Sequence, residues 1–142
     1  MIKIEPLLNV TTKALEEING LLPQLSSSAK PLTYARLLEL VKNERAPMLV
    51  ARDGQKIVGM GMIVIYNVPT EKRAWLEEII VDEAYRGQGL GKRISNELLD
   101  IARKEHVDRV YLSSKPTRVA ANKLYQKLGF EQKETNVYKL NL

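Results

Sequence analysis

The stretch Arg86-Gly87-Gln88-Gly89-Leu90-Gly91-Lys92 carries the clearest chemical suggestion in the 142-residue chain. An apolar run ending at Val81 leads into it, and an apolar-periodic run from about Leu90 follows, so a strand, a bare loop and a helix start succeed one another. Such a junction suits a phosphate group. Amides of a first helical turn lack intrahelical partners, the helix dipole adds positive charge there, and missing Cβ atoms let a ligand reach the backbone. Two common nucleotide loops fail on spacing. The dinucleotide fingerprint needs a third glycine where Lys92 stands, and the ATP/GTP loop needs glycine at Arg86 and Ser or Thr at Arg93. The glycines as a mere tight turn are the bland alternative.

Few other residue types are available for catalysis. The chain has no cysteine and one histidine, His106, so disulfides, thiolate nucleophiles and Cys- or His-rich metal sites are excluded and no metal is expected. His106 follows a helix among charges and reads as a surface group. The remaining candidates are Glu77 and Glu78, which interrupt an apolar run, and Tyr125 on a C-terminal helix. Each has a structural reading beside the chemical one: exposed strand carboxylates and a core aromatic. A net charge of +5 suits a polyanionic ligand. The basic residues are scattered, and too few aromatics accompany them for a nucleic-acid stacking surface, so no nucleic-acid partner is expected. No apolar run approaches the roughly 20 residues of a membrane span, and the N-terminus lacks a secretory pattern. The expectation is a cytoplasmic protein without a membrane partner.

The elements that must position these groups follow from periodicity. Ile2 to Leu8 reads as a strand, and Thr11 to Leu25 as a helix capped by Thr11 or Thr12. A second helix starts after Thr33, with Leu37, Leu38, Leu40 and Val41 on its inner side. Met48–Arg52 and Lys56–Tyr66 form a hairpin around Asp53-Gly54, and 67–73 reads as a loop. Trp75–Val81 is a strand, 90–105 a helix, Arg109–Ser113 a strand, and 117–128 a helix stopped by Gly129. One or two strands are expected within 130–140. The order implies an α/β (α+β) single domain over residues 1–142.

The glycine-rich stretch resembles the pyrophosphate motif of the GNAT N-acetyltransferase family, [Arg/Gln]-x-x-Gly-x-[Gly/Ala], through Arg86, Gly89 and Gly91. The likeness extends back over Leu76-Glu77-Glu78-Ile79-Ile80-Val81, and a second family element lies downstream at Asn122-Lys123-Leu124-Tyr125-Gln126-Lys127-Leu128-Gly129-Phe130. It covers about residues 48 to 140. The resemblance implies a mixed, mostly antiparallel sheet of six or seven strands, splayed between strands 4 and 5 and flanked by about four helices.

It further implies transfer of an acetyl group from acetyl-CoA (coenzyme A as carrier) to an amine acceptor by direct attack in a ternary complex, the work of an acyltransferase. The cofactor's arm would meet the backbone of Ile79, Ile80 and Val81. Its pyrophosphate would meet Arg86, Gly87, Gln88, Gly89, Leu90, Gly91 and Lys92, with Asn122 and Tyr125 also in contact. Tyr125 matches the residue that protonates the departing thiolate. Glu78 matches the position of the base, acting directly or through water. Glu77 points to the other face of a regular strand, and a bulge would reverse that parity. A non-catalytic acyl-CoA-sensing module of the same fold is the alternative. Dimers are common among similar proteins, so a homodimer is compatible with the resemblance.

Overall fold

The structure, a computed structural model, describes residues 1–142. Five strands form one sheet in chain order: β1 (Ile2–Pro6), β2 (Met48–Asp53), β3 (Lys56–Val68), β4 (Glu71–Val81) and β5 (Arg109–Tyr111). The first four pair antiparallel, and β5 runs parallel to β4. Four helices accompany them: α1 (Thr12–Leu25), α2 (Tyr34–Lys42), α3 (Leu90–Lys104) and α4 (Val119–Lys127). No helix is long and apolar enough to cross a membrane. The chain divides into two compact units, Met1–Leu112 and Ser113–Leu142.

The strand count corrects the expectation of six or seven. No strand forms within residues 130–142. The run Glu131-Gln132-Lys133-Glu134-Thr135-Asn136 is polar at every position, so it offers no alternating apolar face to bury. The loop expected at 67–73 is also mostly strand. Asn67 pairs with Lys72 and Val68 with Glu71, leaving Pro69 and Thr70 as a two-residue turn.

Caps set the helix boundaries. The Thr11 hydroxyl accepts the Ala14 amide at 3.0 Å, and the Thr33 hydroxyl accepts that of Arg36 at 3.2 Å. His106 ends α3 in a left-handed conformation (φ +57°), with its own amide bonded to the Arg103 carbonyl and that of Val107 to Ala102. Gly129 (φ +100°) does the same for α4.

The larger unit is layered. Leu7, Ile18, Leu21 and Leu37 pack with Met48, Val50, Met60, Met62 and Ile80, burying one face of the sheet beneath α1 and α2. On the other face α3 lies very close to β3. A Cβ at Gly61 would stand 2.9 Å from Ile94 Cγ2 and 3.0 Å from Leu98 Cδ1, and one at Gly59 would stand 3.1 Å from Ile94 Cδ1. The bare strand thus lets α3 settle onto the sheet, which fixes where its N-terminus emerges. We expect Gly61→Val to lower stability by about 1–3 kcal/mol through overpacking. Urea unfolding checks this, and an unchanged midpoint would remove the close approach as a constraint.

Candidate cofactor and active site

The approach to the glycine-rich loop begins with a defect in the β3–β4 ladder. Met62 pairs with Glu77 and Met60 with Ile80, so Glu78 and Ile79 together oppose the single residue Gly61. This bulge places Glu78 at φ +53°, a left-handed conformation unusual for a residue with a Cβ. It also resolves the parity. Cross-strand partners share a face, so Glu77 and Ile80 lie on the α1/α2 side with Met62 and Met60, although three residues apart. Ile79 sits on the α3 side, its Cγ1 3.2 Å from where a Gly61 Cβ would be.

On its other edge β4 is paired for only part of its length. Arg73, Ala74 and Trp75 match Arg109, Val110 and Tyr111, and the ladder ends there. Leu76 to Val81 have no partner on β5. At the closed end, the Glu71 carboxylate accepts from Arg109, from Arg73 Nε at 3.0 Å and from the Tyr111 hydroxyl at 3.0 Å. The Trp75 and Tyr111 rings stack with centroids 5.5 Å apart, and the Trp75 indole N–H donates to the Tyr66 hydroxyl at 3.0 Å. This clasp holds the strands together where the opening begins.

Beyond Val81, a single 3₁₀ turn over Glu83–Tyr85 leads to the loop. The Asp82 carboxylate accepts the Ala84 amide, and the Tyr85 hydroxyl donates to Asp53 Oδ2 at 2.7 Å, tying the turn to the β2–β3 hairpin. Gly87 and Gly89 have φ values of +80° and +75°, and a Cβ at either would meet nothing within 4 Å. Gly89 precedes α3 without any side-chain cap. The first α3 amide to find a backbone acceptor is that of Arg93, bonded to the Gly89 carbonyl, so the amides of residues 87 to 92 have no partner in the chain. They form an open row of donors at the positive end of a 15-residue helix. That arrangement fits a diphosphate.

Around the row, Gln88 and Lys92 are exposed, whereas the side chains of Leu90 and Ile80 are buried, leaving their main chains for any contact. Arg86 donates through Nε to the Val81 carbonyl at 3.1 Å and through Nη2 to Gln24 Oε1 at 3.4 Å. Sequence reasoning passed over Gln24, an unremarkable polar residue near the end of α1. It also passed over Ser95, buried within α3, whose hydroxyl donates to the Gly91 carbonyl at 2.8 Å.

In the smaller unit, Asn122 Nδ2 donates to the carbonyls of Lys115 (2.9 Å) and Arg118 (2.8 Å), bracing the turn before α4. Tyr125 is buried and meets the Phe130 ring edge-on at 6.1 Å. Burial pushes its hydroxyl pKa up, against a smaller opposing effect of the Arg118 charge, so it stays protonated at neutral pH.

The model of the acetyltransferase (GNAT) family matches residues 13–130, most of the chain. The chain belongs to the GNAT family. Members of this family are acyl-CoA-dependent transferases. Human N-acetyltransferase 8B is 35% identical to this GNAT chain over 85 residues, covering 58% of this chain and 37% of that protein. The spermine/spermidine N(1)-acetyltransferase of Bacillus subtilis is 38% identical over 60 residues, 42% of this chain and 40% of that one. The matched stretches thus span about two fifths of those relatives' own length. An acetyltransferase structure from Trypanosoma brucei superposes with a TM-score of 0.82 at 25% identity, covering all of both chains.

The strained bulge residue and the two neighbouring carboxylates give testable consequences. Replacing Glu78 by glycine relieves the left-handed strain, an expected gain of up to about 1 kcal/mol after the extra chain entropy of glycine. Thermal unfolding checks it, and a large loss would contradict the strained geometry. Glu71 and Glu77 titrate in opposite directions. For Glu71, burial is outweighed by hydrogen bonds from Arg109, Tyr111 and Arg73, which hold its pKa below the usual carboxylate value of about 4.3. Its ionised form therefore stabilises the fold above that value, and the contribution is lost as pH falls through the folded pKa. For Glu77, partial removal from water and then the Glu78 charge push the pKa up. Its ionisation opposes folding as pH rises past the unfolded value and through the folded one. Glu71→Gln should lower Tm at pH 7 and Glu77→Gln should raise it. On acidification the Glu77 difference should disappear first, by the ordinary carboxylate value, and the Glu71 difference only as pH falls further through its lowered folded pKa.

Proposed function

We propose that the chain is an N-acetyltransferase that moves the acetyl group of acetyl-CoA to a primary amine, whether a small amine, an amino sugar or a protein or peptide amine. Residues 1–142 act as one catalytic domain in the cytoplasm, and transfer occurs by direct attack in a ternary complex. The observation that carries this reading is the row of unpartnered amides from Gly87 to Lys92, opening beside a stretch of β4 that β5 leaves unpaired, in a GNAT chain.

Acetyl-CoA supplies a thioester carbon already activated for attack by nitrogen. The chain's task is to hold both partners and manage two protons. The amides of 87–92 and the charges of Arg86 and Lys92 would hold the diphosphate, the backbone of Ile79 to Val81 would align the arm, and Asn122 would contact it. Glu78, the residue at the bulge, would take a proton from the amine directly or through water, with Glu77 as the neighbouring alternative. Tyr125, protonated at neutral pH and pushed further up by burial, would return a proton to the departing thiolate.

Tyr125→Phe should bind CoA like the parent while turnover falls roughly 10²–10⁴-fold. Calorimetry with CoA and thiol release over a panel of polyamines, amino sugars and lysine peptides measure both quantities. Undiminished turnover would remove Tyr125 as the acid. Silence from the parent enzyme across the whole panel would count against the transferase reading.

A further inference from the structure

Arg86 is the motif arginine, yet no carboxylate of the chain forms an ion pair with it. Its hydrogen-bond acceptors are both neutral: the Val81 carbonyl and Gln24 Oε1. The same Gln24 oxygen accepts the Glu83 amide at 2.9 Å, so one half-buried amide on α1 holds the start of the 3₁₀ turn and the arginine that follows it. α1 is itself anchored in the core through Ala14, Ile18 and Leu21. Gln24 therefore ties the loop's geometry to the rigid part of the larger unit.

The identity of this acceptor matters. A glutamate would accept the same two donors and bind them more tightly. It would also neutralise the guanidinium, which then could not offer full charge to a phosphate. A glutamine orients Arg86 and leaves its charge uncompensated.

We propose that Gln24 is a positioning residue for diphosphate recognition, setting the loop and presenting Arg86 as an unpaired cation. This rests on the acetyl-CoA reading above. The test is calorimetric binding of CoA to the full chain and to Gln24→Glu, Gln24→Met and Arg86→Gln, with Tm measured for each. Gln24→Glu keeps both hydrogen bonds, so its Tm should equal or exceed the parent's while CoA affinity falls about tenfold. Gln24→Met should lose a similar factor by releasing Arg86. In the Arg86→Gln background the Gln24→Glu change should have little further effect, because the two act through one interaction.

Parental affinity in Gln24→Glu at parental or higher Tm would overturn the proposal. So would additive losses in the double variant. If Gln24→Glu does not fold, Gln24→Met and its combination with Arg86→Gln decide by the same criteria. Absence of CoA binding by the parent protein would instead overturn the acetyl-CoA reading, and this proposal with it.

Discussion

One extra residue in β4, opposite Gly61, governs both faces of the sheet. The bulge at Glu78 and Ile79 shifts the alternation of the strand, so that Ile80 still reaches the core beneath α1 and α2. Ile79 is turned toward α3 above the glycines of β3. A regular strand could not put Glu77 and Ile80, three residues apart, on the same face beneath α1 and α2, because side chains alternate strictly with a period of two. The bulge also adds twist and bend to the strand. β4 and β5 cease to pair at Trp75 and Tyr111, just before it. The Glu71 clasp and the stacked rings confine that parting to one end.

The loop geometry depends on the same packing. Because β3 carries no Cβ at residues 59 and 61, α3 sits close to the sheet, and Arg93 ties its first turn to the Ile2 carbonyl at 2.9 Å. The start of α3 is therefore held by rigid neighbours, although the loop before it is exposed and rich in glycine. A ligand meeting those amides finds donors already aimed, and little ordering entropy remains to oppose binding.

Much of this was legible in the sequence. Thr11, Thr33 and Gly129 marked helix ends because capping chemistry is local, and the glycine loop announced an exposed helix start by residue type alone. The bulge was foreseeable only as a possibility, since Glu77-Glu78 breaks an apolar run without saying which residue is extra. Pairing with β3 decides that. The Pro69-Thr70 turn was missed because Asn67, Lys72 and Arg73 are polar, whereas β3 and β4 run on past the end of the β2 ladder, where polar residues are tolerated. One or two strands were expected within 130–140, but Val137, Tyr138 and Leu140 there are exposed and the polar residues before them offer no face to bury. Gln24 carried no sequence signal at all, because its importance lies in one oxygen meeting two donors far away along the chain.

A strand edge without a ladder partner is a hazard as well as an opportunity, because an extended peptide can zip onto it. Here the edge from Leu76 to Val81 contains a kink and two adjacent acidic side chains, both of which discourage a second copy from adding a continuous ladder. A short, flexible arm needing only a few backbone contacts is hindered far less. The same distortion thus makes this edge a poor template for a continuous further strand.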